Sequence, residues 1–224
     1  MDEGDLFNRA ILNRHRVLTQ SLIVFDTTVP FYFSRVGQVP LLEGLFRGRA
    51  LIPSAVFAEI EGLSYDHPGA ALLLKSTVFK TIRPTQDEEE EALDYQRSWR
   101  GLDAVLADPK KNRGEAHCVA LSRRSTPPMP IVLHDHEAFD NLRSLKIPRL
   151  HMVDIAVALT TRGGYTPDAA WQLYESMVRL GMHQIDGYDL SDHGSRGRFN
   201  RACDALKLAR PGVSVTHREG AFDQ

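Results

Sequence analysis

The sequence predicts an α/β fold built on a central parallel sheet. Two observations carry that prediction. Short uninterrupted apolar runs at Leu22 to Phe25, Ala50 to Ile52 and Ile131 to Leu133 have the composition of strands buried on both faces, not the alternation of strands with one wet face. Longer stretches with apolar residues at helical spacing lie between and after them, and strands that alternate with helices pair in parallel.

Residues 1–20 mix Leu6, Phe7, Ile11, Leu12 and Leu18 with Arg9, Arg14 and Arg16, which predicts a short amphipathic helix packed on the domain as an N-terminal extension. The run LIVFDTTVP at 22–30 is the first strand. It hands Asp26 to the carboxyl edge of the sheet, where open α/β folds bind their ligands. An aspartate alone in that position most often caps a helix. Val29 to Val36 begins a helix or turn, Leu41 to Phe46 is a second apolar patch, and Ala50 to Ile52 is a strand closed by Pro53. Ser54 is the expected N-cap of a helix whose apolar face is Val56, Ile60 and Leu63. On that helix Glu59 and Glu61 point about 200° apart, so only one can face the strand edge. Ala55 and Gly62 leave room around Glu59, which is therefore the candidate; a solvated helix glutamate is the alternative.

After a loop at Tyr65 to Gly69 and a short helix at Ala70 to Lys75, the β-branched content of Thr77 to Ile82 predicts a strand. Thr85 to Leu106 reads as one long helix with Ala92, Tyr95, Trp99, Leu102 and Leu106 on a single face and Asp87 to Glu91 as a solvated, acidic first turn. A basic loop, Lys110, Lys111, Asn112, Arg113 and Gly114, leads into a helix at Glu115 to Arg124. Asn112 and Glu115 have the spacing of a capping box, the ordinary alternative role for Glu115. The proline-rich segment Thr126 to Pro130 breaks the chain before the strand that ends at His134, Asp135 and His136, followed by a helix through Leu145. Ile147 to His151 is an extended link, Met152 to Thr161 a helix stopped by Gly163 and Gly164, and Thr166 with Pro167 opens a helix ending at Gly181. The domain is expected to span residues 21–183. Residues 184–224 form a polar extension, locally basic at Arg196, Arg198, Arg201, Lys207 and Arg210, and partly ordered.

Composition excludes several function classes. A net charge of −2 over 224 residues gives no global attraction to a polyanion, which would have to be held by a local basic patch or a cation. The two cysteines, Cys118 and Cys203, have neither zinc-site spacing nor a disulfide framework and read as reduced thiols. No apolar run approaches the roughly twenty residues of a membrane helix, and Asp2, Glu3 and Asp5 are not a signal-peptide start, so a cytoplasmic protein with no membrane partner is expected.

Asp26 and Asp135 end strands, while Glu59 and Glu115 stand in early turns of helices that follow strands or loops, so all four can converge on the carboxyl side of a parallel sheet. Converging carboxylates raise one another's pKa values or recruit a cation, and an all-oxygen donor set suits Mg²⁺ or Mn²⁺. In these segments, LIVFDTTV at 22–29, IPSAVFAEI at 52–60, RGEAHCVAL at 113–121 and IVLHDHEA at 131–138, the chain resembles the PIN-domain nucleases, a likeness extended by residues 148–182. The resemblance implies a three-layer, PIN-like α/β/α domain with a central parallel sheet that hydrolyses RNA phosphodiesters with Mg²⁺ or Mn²⁺ held by Asp26, Glu59, Glu115 and Asp135. Thr27 or Thr28 would be the accompanying hydroxyl. It also implies the toxin half of a toxin–antitoxin pair, hence an antitoxin protein as partner, with a homodimer as a further expectation.

Two departures from the family pattern stand out. Asp135 is flanked by His134 and His136 where many members carry a second aspartate, and histidine ligates Mn²⁺ better than Mg²⁺. The terminal pieces and the Thr85 to Leu106 helix also exceed the minimal domain. Lys110, Lys111 and Arg113 beside Glu115, and Arg143, Lys146 and Arg149 after Asp135, would rim the acidic centre and contact phosphates. Competing readings are a phosphatase with Asp26 as nucleophile, which FDTTVP does not favour because it lacks an acid two residues on, and a PIN-like module that binds RNA or protein without cutting.

Overall fold

Five strands form one sheet in the order β3-β2-β1-β4-β5, every neighbouring pair parallel. They are β1 (Ile23–Phe25), β2 (Ala50–Pro53), β3 (Phe79–Ile82), β4 (Ile131–Val132) and β5 (Arg149–Leu150). The computed structural model describes residues 3–134, 142, 145–162, 164–185 and 187–208. The helices among them are α1 (Glu3–Gln20), α2 (Thr28–Arg35), α3 (Val39–Phe46), α4 (Ser54–Asp66), α5 (Ala70–Lys75), α6 (Gln86–Arg100), α7 (Leu102–Ala107), α8 (Arg113–Arg123), α9 (Met152–Arg162), α10 (Pro167–Arg179) and α11 (His193–Leu208). The predicted α/β class is therefore observed, with an all-parallel sheet and helices arranged as in a three-layer α/β/α fold.

All three residues of β1 are fully buried, as the continuous apolar run requires of a central strand. Phe25 meets Phe46 of α3 and Phe79 of β3 edge-on, with ring centroids 4.9 and 5.4 Å apart, so aromatic packing from α3 and from a strand two places away fixes the middle of the sheet. Helix α8 lies against β1, β2 and β4 and is flanked by α4 and α6, while α1, α9, α10 and α11 pack on one another. Leu18 of α1 and Phe199, Ala202, Cys203 and Leu206 of α11 belong to the same apolar cluster as the strands.

Several elements differ from the sequence reading. Residues 147–151, expected as a link, include the edge strand β5. The expected long helix divides at Gly101, whose φ of 79° and ψ of 156° no helix accommodates. The chain direction then changes, and Leu102 and Leu106, expected on the buried face, are 52% and 71% exposed while Val105 is buried in their place. The acidic first turn is not simply solvated: Glu88 pairs with Arg124 at 2.6 Å, Glu91 with Arg123 at 3.1 Å, and Glu89 with Arg113 at 3.8 Å and His117 at 3.3 Å, tying α6 to α8. Thr85 and Glu88 close a capping box at the start of α6. Ser54 is the first residue of α4 and makes no cap hydrogen bond, Pro53 standing at the cap. Thr166 does cap α10, accepting the Ala169 N–H at 3.1 Å with Pro167 following, and that helix ends at Arg179, not Gly181.

The backbone at Gly101 lies in a region essentially reserved for glycine, whereas Gly62 in α4 has neither positive φ nor any neighbour to meet an added methyl group. Urea denaturation is expected to show Gly101→Ala destabilised by about 1 to 3 kcal/mol and Gly62→Ala unchanged or stabilised by about 0.4 to 1 kcal/mol.

Candidate functional site

The sheet order reverses at β1: β2 and β3 lie to one side, β4 and β5 to the other. The carboxyl ends of β1 and β4 thus border the switch-point crevice of an open α/β sheet, and Asp26 and His134 follow those two strands. The Asp26 N–H donates to the Val132 carbonyl at 3.0 Å, so the ladder itself holds this residue against the end of β4. Only 3% of Asp26 is exposed. Its Oδ2 accepts the Thr28 hydroxyl at 3.0 Å and the Thr28 N–H at 3.3 Å in the first turn of α2. These bonds tie Asp26 to the start of α2 without capping it: Thr27 stands at the cap position and no side chain makes the cap hydrogen bond.

Glu59 comes from the second turn of α4, which β2 delivers to the same edge. Helical phase separates the two candidates as expected: Glu59 turns inward and accepts the Thr27 hydroxyl, while Glu61 is exposed. The Glu59 carboxyl is pushed up to about 7, first by burial and then by the negative charge of Asp26; the Thr27 hydroxyl, the Gly114 N–H and the Arg113 charge act in the opposite direction. Glu115 arrives on α8. The buried Cys118 thiol, 3.5 Å from the Phe25 carbonyl, marks where the elements meet: burial raises its pKa well above the usual value, and the charges of Asp26, Glu115 and Glu59 raise it further. Three acids separated by up to 89 positions in the sequence act on one sulfur atom.

The capping box expected of Asn112 and Glu115 does not form. Asn112 adopts a left-handed conformation with φ of 58°, makes no cap hydrogen bond and is buried, because the loop before α8 is fastened elsewhere. The Gln96 amide donates to the Pro109 and Lys111 carbonyls at 3.2 and 2.9 Å, and Arg100 donates to the Asp108 and Lys111 carbonyls at 2.7 and 3.0 Å. The loop therefore carries Lys110, Lys111 and Arg113 in a fixed frame beside Glu115. Lys146, by contrast, precedes β5 and stands at the amino end of that strand, away from the edge that Asp26 occupies.

His134 is buried, its Nε2–H donates to the His183 carbonyl, and its ring lies edge-on to that of His151 with centroids 6.4 Å apart. Asp135, His136 and Arg143 lie outside the described residues. Among the described residues, no three His, Cys, Asp or Glu side chains are grouped so as to hold a metal ion. The donor chemistry of Asp26, Glu59 and Glu115 nevertheless fits a hard divalent cation: all are oxygen donors, and the ionisation of Glu59 is opposed by a buried like charge that a cation would offset. The residue missed in the sequence is Gly114, whose Cα borders the Glu59 carboxylate. Its signal was a glycine inside the first turn of a helix, where alanine would be preferred unless something approaches closely.

Because its folded-state pKa is raised, Glu59 contributes stability that is fully present below the ordinary value of 4.5 and is lost as pH rises through about 7. Glutamine keeps the neutral form at every pH. In metal-free buffer, Glu59→Gln is expected to match the wild type in urea unfolding near pH 5 and to exceed it at pH 8 by up to about 3 kcal/mol. A difference independent of pH would contradict the burial of this carboxylate beside Asp26.

Comparisons with protein-family models, with curated proteins and with solved structures returned no match.

Proposed function

We propose that this protein is a metal-dependent ribonuclease that hydrolyses RNA phosphodiester bonds at the carboxyl edge of its sheet. The observation that carries the reading is the meeting of two acids from separate elements at one edge of the sheet: Asp26, 3% exposed after β1, and Glu59 of α4, whose carboxylate accepts the hydroxyl of Thr27, the residue next to Asp26. The order of the acid-bearing segments, which resembles that of PIN-domain nucleases, supports it.

Asp26, Glu59 and Glu115, with Asp135, would hold the Mg²⁺ or Mn²⁺ ion. Such an ion supplies an oriented, more acidic water and neutralises the charge that grows on the phosphoryl oxygens. The residues of the chain do the rest. Thr28 fixes the Asp26 carboxylate through two hydrogen bonds, and Thr27 fixes that of Glu59, so the acidic oxygens need little reordering when substrate arrives. Arg113, restrained by Glu89 at 3.8 Å, and the lysines of the clamped loop offer cations to the substrate backbone beside the acids. In-line hydrolysis with departure of the 3′-oxygen gives 5′-phosphate and 3′-hydroxyl ends. A cytoplasmic setting, an antitoxin partner and pairing of two copies belong to the same proposal. Among the described residues no helix is long and apolar enough to cross a membrane.

The direct test is incubation of the protein with mixed RNA and either ion, beside an EDTA control and Asp26→Asn. Cleavage is expected in both metals, abolished by EDTA and reduced on the order of 10²-fold or more by the substitution. RNA retarded on a gel but intact in every metal would replace the nuclease with a binding module.

A further inference from the structure

Helix α8 begins without a local cap. Asn112 precedes it in a left-handed conformation and its side chain accepts nothing from the first turn, so the N–H groups there must find acceptors elsewhere. One of them, Gly114, lies against the Glu59 carboxylate of α4, where its N–H favours the charged form. The approach is close enough that a Cβ on Gly114 would stand 2.6 Å from Oε1 and 2.9 Å from Oε2 of Glu59. Any other residue at 114 occupies the space in which the carboxylate rests.

We infer that Gly114 is a positioning residue for the candidate centre: its backbone N–H and its missing side chain hold the Glu59 carboxylate toward Asp26, in place of a local cap on α8. The inference rests on the proposed role of Glu59. Thr27, between β1 and α2, holds the carboxylate from one side and Gly114 of α8 bounds it on the other. The same contact sets the register between Glu59 and Glu115, the residue after Gly114, although 56 positions separate the two acids. The atoms that an alanine at 114 would meet are the far end of a flexible side chain, not backbone. The expected response is that Glu59 swings away while the fold persists.

The test uses the full chain and Mn²⁺ as probe. Gly114→Ala is expected to melt within a few degrees of the wild type yet bind Mn²⁺ at least about tenfold more weakly by calorimetry, the scale of effect seen when a ligand loses its support. Adding Gly114→Ala to Glu59→Ala should cause no further loss, and Glu59→Asp, shorter by one methylene, should recover part of the affinity lost in Gly114→Ala. Unchanged Mn²⁺ affinity in Gly114→Ala, or losses that simply add in the double variant, would overturn the inference. A metal-free readout separates it from the reading beneath it. The Gly114 amide proton should resonate downfield in the wild type and move upfield in Glu59→Ala. If it does so while the wild type binds no Mn²⁺, the positioning contact stands and the metal-centre reading falls; if it does not move, the contact itself is refuted.

Discussion

A carboxylate with 3% exposure at the carboxyl end of the central strand, near a second carboxylate from α4, is the constraint on which this molecule is organised. Water cannot solvate Asp26 and Glu59 well, and their charges repel. The surroundings answer with hydrogen bonds from Thr27, Thr28 and the Gly114 backbone and with the charge of Arg113. Burial and then the Asp26 charge push the Glu59 carboxyl up to about 7. That combination is costly for a purely structural site, which an apolar pair would serve at least as well. It suits a site whose charge is meant for a ligand.

The sheet places the pair. A central strand buried on both faces fixes where its last residue emerges, and the reversal of strand order at β1 puts that residue at the switch point between the carboxyl ends of β1 and β4. The helix α6 then acts on the rim from outside. Its acids bind the basic residues of α8, while Gln96 and Arg100 hold the loop that precedes α8. What reads as an extra helix in the sequence thus orients both Glu115 and the neighbouring lysines.

Much of this was legible in the residues. The apolar runs gave the strands of the sheet's centre, and helical phase together with the small neighbours Ala55 and Gly62 distinguished Glu59 from Glu61. Other features depend on information that sequence spacing does not contain. Asn112 and Glu115 have the separation of a capping box, but the loop is pinned by Gln96 and Arg100 in a conformation that turns Asn112 left-handed. Gly101 interrupts an apolar pattern that continues at helical spacing on both sides, so the pattern hides the break. Gly114 shows its purpose only once α4 and α8 cross. The tail was obscured differently: Phe199, Ala202, Cys203 and Leu206 follow a helical repeat, yet the polar residues around them suggested only a partly ordered extension, and packing against α1, α9 and α10 makes the stretch a helix.

The central claim is that the acids gathered at the end of β1 form a cation site. Anomalous diffraction from crystals soaked in Mn²⁺ tests it without reference to any substrate. The account predicts an anomalous peak about 2 to 2.5 Å from carboxylate oxygens of Asp26 and of at least one of Glu59 and Glu115. A protein that takes up Mn²⁺ only at scattered surface carboxylates, with none at this edge, would contradict it.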